Sequence, residues 1–469
     1  MKILAKQKIA LVGLGPHAKR IYYSFIKKLV ENGGVFSVLI ELESKKNVVE
    51  EFFTGQDIKP NQILYVVDRG QITPSKISEE LKKRMDSIIG NKEITHAIIA
   101  TEPKAHKIYL DYFLKNHIPC LVDKPITAPI GLSYNKSASL KLEQDVKELI
   151  KTSNKNKTQT YVQVQRREHP AYIFIFKTLR EIVEKYKVPI TYFNIYHSDG
   201  TWSMPSEFLS RENHPYKYGY GKMMHSGYHF VDLVAWIVET NKLISDKITV
   251  ETTANLLKPE THYNQINGSK LYKKIFKEDT VSPKSSKFGE IDAYLNFSFY
   301  FDKKVKKNNL MTRGNLDLLQ SGFSKRSCFA IAKDTYKGNG RVRHEYLNIN
   351  VGPLCNIQLH SYQANELKKG DLFGVGGEEH LDVYIFKNND IIGGKPCEII
   401  DFGGQINDQA KKFSGVYLGQ NELARYTIFD KFLRNKSSDA TIGKQLITNK
   451  LLAAVYKSAV QKKKVLTKI

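Results

Sequence analysis

The first strand of this chain runs directly into a glycine turn. Residues 9–18 read Ile-Ala-Leu-Val-Gly-Leu-Gly-Pro-His-Ala, a short apolar strand followed by Gly13-x-Gly15-x-x-Ala18. Gly13 allows the tight turn. Gly15 lets the backbone come close to a pyrophosphate, and Ala18 is small enough for the next helix to pack on the strand. The helix expected from about Ala18 to Glu31 would aim its free N–H groups and positive dipole end at the phosphates. Pro16 and His17 lie in the same turn and count with the cofactor contacts. An ordinary strand-to-helix turn also uses glycines, so the motif gains its weight from context: an apolar strand before it and a helical pattern after it.

The rhythm continues through residues 1–130. Strands are expected at Lys8–Val12, Val35–Leu42, Gln62–Val67, His96–Ala100 and Pro119–Val122. Helices are expected between them, at Lys19–Glu31, Val48–Phe53, Ser78–Ile89 and Lys104–Asn116. That alternation predicts an α/β N-terminal Rossmann domain, a doubly wound parallel sheet, with its ligand at the carboxyl ends of the strands. A helix at about Leu140–Thr152 and a polar stretch at 153–158 mark the boundary, giving a first domain of 1–157. Residues 158–469 change character. Tyr161–Gln165, Ile190–His197, Asp292–Phe301, Cys328–Ala332, Leu354–Ser361 and Leu381–Phe386 are β-rich, with helices expected at about Ile173–Lys185 and Met223–Thr240. They predict an α+β C-terminal domain around a large open, mostly antiparallel sheet. Two closing helices, about Gly419–Arg434 and Gln445–Gln461, are expected to pack back toward the first domain.

Composition narrows the class. The chain has 469 residues and a formal charge of +24. Lysine is spread along the whole length and no nucleic-acid module is recognisable, so the charge reads as a compositional bias and no nucleic-acid partner is expected. No apolar run reaches the roughly 18 residues a membrane helix needs, and no apolar signal core precedes the first strand. The expectation is a cytoplasmic protein without a membrane partner. Cys120, Cys328, Cys355 and Cys397 are scattered and form no Cys-x-x-Cys pair, which argues against a disulfide framework or a zinc ribbon.

Candidate site residues cluster at strand ends. Glu41, with Glu43 in reserve, ends the second strand; a carboxylate there accepts ribose hydroxyls and favours NAD. Lys45 and Lys46 follow, and a 2′-phosphate could use them, so NADP stays open. Thr101 and Pro103 would lie beside the nicotinamide end. His106 reads either as a cofactor contact or as a helix-start residue without chemistry. In Leu-Val-Asp123-Lys124-Pro125, Lys124 sits at a strand end where its amine can hydrogen-bond a reacting hydroxyl. His225, His229 and Asp232 are spaced for one helical face. The two imidazoles could bind a metal, supply an acid/base and a substrate contact, or simply satisfy the core. Trp202, Arg211, His214, Tyr216, Lys217, Tyr218 and Tyr220 surround them, suited to sugar rings and to a carboxylate or phosphate.

Together these clusters resemble the Gfo/Idh/MocA family, that of glucose–fructose oxidoreductase and inositol 2-dehydrogenase. Gly13/Gly15/Ala18 match its glycine turn, Asp123-Lys124-Pro125 its Glu-Lys-Pro, and Gly221 with His225 and His229 its second-domain helix motif. Gln165-Arg-Arg167-Glu-His-Pro170 is similar to its Arg-x-x-Pro segment, and the stretch from Leu452 to its closing helix. The resemblance implies NAD(P)-dependent hydride transfer at a sugar, polyol or sugar-derivative carbon. Lys124 would be the active-site lysine and His229 the acid/base. Arg167, Trp202, Tyr220, His225 and Asp232 would bind substrate, with no metal. His225 departs from the usual Asp and could share the proton-transfer role. A cofactor-binding sensor or assembly protein without turnover, and an NAD-dependent glycosidase, remain alternatives. The resemblance also implies a homodimer or homotetramer built through the C-terminal sheet. The chain exceeds a typical member by roughly one hundred residues, an excess placed at 257–288 and 333–415. Gly374–Gly377 in the latter reads as a flexible loop rather than a phosphate site.

Overall fold

The computed structural model describes residues 7–68, 74–212, 214–266, 270, 274, 286–301, 309–324, 342–364, 380–406 and 420–469. The chain divides into two compact units. The first comprises Met1–Ile130, Lys141–Glu168 and Asn421–Leu446, and the second Gly131–Leu140, His169–Gln420 and Ile447–Ile469. The first unit thus extends beyond residue 157 and includes most of the helix Gln420–Leu433.

The first unit holds six parallel strands: β1 (Lys8–Val12), β2 (Val35–Leu42), β3 (Gln62–Val66), β4 (His96–Ile99), β5 (Cys120–Val122) and β6 (Thr160–Val162). Their order is β3-β2-β1-β4-β5-β6, that of a dinucleotide-binding sheet whose direction reverses between β1 and β4. Ile9, Ala10 and Leu11 are fully buried, as a parallel strand covered on both faces requires. The expected doubly wound sheet is therefore present, with two corrections. Tyr161–Gln165 does not enter the antiparallel sheet: β6 closes the parallel one beside β5, and residues 165–168 form a 3₁₀ turn. The helix after the glycine turn is also broken, into α1 (Pro16–Arg20) and α2 (Tyr22–Glu31) with Ile21 between them. It starts earlier than Ala18 because proline at a first helical position needs no N–H partner.

The second unit is built on nine strands in the order β14-β13-β12-β11-β7-β10-β9-β8-β15. They are β7 (Tyr192–Ser198), β8 (Ile248–Leu257), β9 (Asp292–Phe301), β10 (Leu310–Leu319), β11 (Val342–Val351), β12 (Cys355–Ala364), β13 (His380–Lys387), β14 (Cys397–Asp401) and β15 (Val465–Lys468). All neighbours pair antiparallel except β7 and β10, which run parallel. This is the large, mostly antiparallel sheet expected. The helices Pro170–Tyr186 and Tyr228–Asn241 pack together, with Phe176 and Trp236 stacked at 4.1 Å. The latter helix is apolar nearly all round and buried along its length, the pattern of a core helix. It begins at Tyr228, not Met223, and residues 222–227 form turns. Much of 333–415 is strand, from β11 to β14. In 257–288 the described part includes a short helix, Pro259–Gln265. Cys328–Ala332 and Gly374–Gly377 lie outside the described residues.

Candidate active site

In the first unit the loops after β1 and β4 meet at the reversal point. Gly13 N–H donates to the Ile40 carbonyl (2.8 Å) and Ala100 N–H to the Val12 carbonyl (2.8 Å). Gly13 has φ +90°, and a Cβ there would stand 2.7 Å from the Thr101 backbone. Both the left-handed conformation and the close approach demand glycine. Gly15 differs: an added Cβ would meet nothing within 4 Å. The protein's own packing does not require glycine at 15, whereas a ligand laid against that backbone would. Ala18 is fully buried, as the close helix–strand contact predicts.

Glu41 is buried at the end of β2. Its carboxylate accepts from Leu14 N–H in the glycine loop (2.5 Å) and from Leu42 N–H (2.7 Å). A carboxylate has about four acceptor positions, so two remain for ribose hydroxyls. Glu43 is exposed in a 3₁₀ turn with Ser44 and Lys45. The open face over Gly15 and the carboxylate at the end of β2 fit an adenine dinucleotide.

After β5, Asp123 is partly buried, with His17 Nε2 at 3.6 Å from its carboxylate. Burial works to raise the Asp123 carboxyl, but the charges of His17, Lys124, His106 and Arg425 outweigh it and hold it below the usual range. Burial pulls His17 down to about 4. Lys124 follows, with its N–H bonded to Asp123 Oδ1 (3.0 Å) and a cis peptide to Pro125. Thr101 is partly buried beside Gly13, and Pro103 opens the helix Pro103–Lys115. His106 is buried in that helix's first turn. Its ring nitrogens stand 2.8 Å from the Thr101 and the Pro125 carbonyl oxygens. The imidazole thus ties the loop after β4 to the segment carrying Lys124, a positioning role, and burial lowers its pKa. Arg167 is buried in the 3₁₀ turn 165–168 of this same unit.

The second unit brings a separate set together. His225 does not share a helical face with His229 and Asp232, because it lies in the turn before the helix. Its ring is 4.7 Å from that of His214, 5.7 Å from Tyr216 and 6.3 Å from Tyr220. His229 is buried in the first turn of Tyr228–Asn241. Asp232 is fully buried and accepts the Thr448 hydroxyl (2.7 Å), which gives it a structural partner on the closing helix. Trp202 packs against Met204 and Tyr263. Among the described residues no group of three or more His, Cys, Asp or Glu is placed to hold a metal ion.

The sequence reading passed over a buried polar chain beside these rings. Lys222 is 1 % exposed, and its Nζ donates to Asp199 Oδ2 (2.6 Å) and His197 Nδ1 (2.9 Å). Ser226 Oγ donates to the same carboxylate oxygen (2.7 Å). Glu290, fully buried, accepts from Gly221 N–H (3.2 Å), Met223 N–H (2.9 Å) and the Tyr456 hydroxyl (2.9 Å). It therefore fixes the turn that leads to His225. Burial pushes the Glu290 carboxyl up, opposed by Lys258 and these hydrogen bonds. The available signal was a charge directly after a glycine, Lys222 after Gly221 and Glu290 after Gly289, beside apolar residues where a charge must find a buried partner.

No protein-family model matches the sequence, and no curated protein matches it. Solved structures do match the fold across almost the entire chain. Levoglucosan dehydrogenase in complex with NADH is 13 % identical with TM-score 0.59, the match covering 98 % of each chain. Aldose–aldose oxidoreductase from Caulobacter crescentus is 12 % identical with TM-score 0.54, covering 98 % of this chain and 99 % of that one. Scyllo-inositol dehydrogenase from Lactobacillus casei is 11 % identical with TM-score 0.52, covering 98 % of each. At these identities the likeness is one of architecture: the chain has the fold of the Gfo/Idh/MocA oxidoreductases.

Proposed function

We propose that this protein is an NAD-dependent oxidoreductase that removes a hydride from, or returns it to, a CH–OH carbon of a sugar, polyol or sugar derivative. The observation that carries the proposal is Gly15, a glycine the protein's own packing does not need, in a loop clamped by Glu41 at the reversal point of the parallel sheet. The match to levoglucosan and scyllo-inositol dehydrogenases over 98 % of the chain supports the same reading.

Gly13, Gly15, Pro16, His17 and Ala18 would hold the pyrophosphate, Glu41 would accept from the ribose hydroxyls, and Thr101 and Pro103 would serve the nicotinamide end. When bound, NAD supplies the two-electron acceptor. Lys124 donates a hydrogen bond to the reacting hydroxyl and lowers its proton affinity. His229 takes the hydroxyl proton, and His225 bonds the substrate or sets the orientation of His229. Lys124→Ala and His229→Ala are each expected to cut turnover by about 10²–10⁴, with NAD-induced thermal stabilisation retained. If both variants keep near-wild-type turnover on an identified substrate, these roles are wrong.

One face of the nine-stranded sheet carries a cluster of rings, Tyr196, His344, Tyr346, His360, Tyr362 and Tyr384, with His344 and Tyr362 stacked at 4.2 Å. We read this face as a homo-oligomer interface, to be measured by light scattering on wild type and Tyr346→Glu.

A further inference from the structure

His17 stands in the glycine loop itself, between Pro16 and Ala18. One side of its ring is committed to the protein. Nε2 is shielded from solvent, has no hydrogen-bond partner and lies 3.6 Å from the Asp123 carboxylate. Tyr22 packs edge-on against the ring at 5.7 Å. The side chain as a whole keeps 27 % of its exposure, so the imidazole is not sealed and a ligand laid on the loop can reach it. The charged groups that act on it all belong to the first unit: Asp123 and Lys124 after β5, Arg20 at the end of α1, and Arg425 on the helix Gln420–Leu433, itself paired with Glu422 at 3.1 Å. Burial, with the charges of Arg425, Arg20 and Lys124, pulls the ring down to about 4 against the Asp123 charge, which works to raise it. A single opposite charge within about 4–6 Å raises proton affinity by about ten- to a thousandfold. A pyrophosphate brings two such charges, and roughly 300-fold is enough to return the ring to its usual 6.5.

We propose that His17 is a titrating phosphate ligand: the free protein holds its ring neutral, and the arriving pyrophosphate draws a proton onto it, so that NAD affinity depends on pH. This rests on the cofactor reading above and adds to it a regulation of the same site. Protonated, the ring has two N–H donors, one for the Asp123 carboxylate beside it and one for a phosphate oxygen. Asp123 is then a positioning residue that orients the imidazolium. Binding and proton uptake are linked, so NAD binds more tightly as the pH falls below about 6.5.

The test is calorimetric titration of NAD and of ADP-ribose into wild type, His17→Gln and His17→Asn. It is run at about pH 6 in MES and in bis-Tris, whose ionisation heats differ, and again across about pH 5.5–8. Circular dichroism checks that each variant is folded. Wild type should take up more than about half a proton per NAD at about pH 6. Its affinity should rise about tenfold from about pH 8 to about pH 5.5, as for a group returned to its usual value. ADP-ribose should behave alike, because it keeps the pyrophosphate and lacks the nicotinamide. Both variants should bind NAD more weakly at about pH 6, without proton uptake and with a flat profile. NAD binding to wild type without proton uptake overturns the proposal and leaves the cofactor reading standing. So does uptake that persists in both variants, which would place the proton on another group such as His106, or uptake with NAD but not with ADP-ribose. No binding of either ligand to wild type overturns the cofactor reading and the proposal together.

Discussion

Two glycines of one loop separate what the fold needs from what a ligand needs. Gly13 is required by its φ of +90° and by the Thr101 backbone 2.7 Å from where a Cβ would stand. Gly13→Val should therefore unfold or strongly destabilise the protein in the absence of any cofactor. Gly15→Val should leave the melting temperature of the free protein within a degree or two, since its Cβ enters open space, yet abolish the stabilisation by NAD. Differential scanning fluorimetry with and without NAD reads both outcomes, and an equal NAD shift in wild type and Gly15→Val would remove the argument. A larger shift with NADP than with NAD would overturn the role given to Glu41. Spacing in the sequence was enough to place Gly13, Gly15, Glu41 and Lys124 at or just past the ends of strands. It left His106 open between a cofactor contact and a helix-start residue, and the ring stands 2.8 Å from the Thr101 and Pro125 carbonyl oxygens. A residue's position in a helix first turn does not say whether it faces ligand or backbone.

At the level of elements, the parallel strands were legible because strands buried on both faces read as continuous apolar runs. Five strands of the antiparallel sheet were not: β8, β10, β11, β14 and β15. In β10 the run is broken by Arg313, Gly314, Asn315 and Asp317, and Gly314 makes room for the Phe193 ring, 2.3 Å from where a Cβ would lie. A glycine that admits a neighbour's ring looks, in sequence, like a turn. The segment before the helix Tyr228–Asn241 was misread for a related reason. His225, His229 and Asp232 have helical spacing, but Gly221 N–H and Met223 N–H are held by Glu290 from the segment just before β9, so the chain makes a turn there first. Glu290→Ala strands these two N–H groups and the Tyr456 hydroxyl in the core. It should cost about 2–4 kcal/mol, given about 1–3 for each unsatisfied buried group and partial relaxation. Urea unfolding measures it, and a loss below about 1 kcal/mol would mean that the turn holds without the carboxylate.

For the whole molecule, buried histidines set an acid limit. Burial lowers His17 and His96 from 6.5 to about 4, and lowers His106 as well. All three belong to the first unit. Below pH 6.5 the unfolded chain takes up protons that the folded chain refuses, so stability is complete above that value and falls as the pH drops toward about 4. The melting temperature should decline across that window, and His96→Phe should flatten the decline; a flat profile in wild type would contradict it. The compact units do not follow a single cut in the chain, because β6 and most of the helix Gln420–Leu433 join the first unit through contacts distant in sequence. Net redox turnover is the central claim, and its most direct measurement is NADH absorbance on mixing protein, NAD and a panel of sugars, polyols and sugar acids. The account predicts NADH formation with at least one of them, reduced by about 10²–10⁴ in Lys124→Ala. NAD binding with no NADH formed from any member, or release of an aryl leaving group from a glycoside without net NADH, would contradict it.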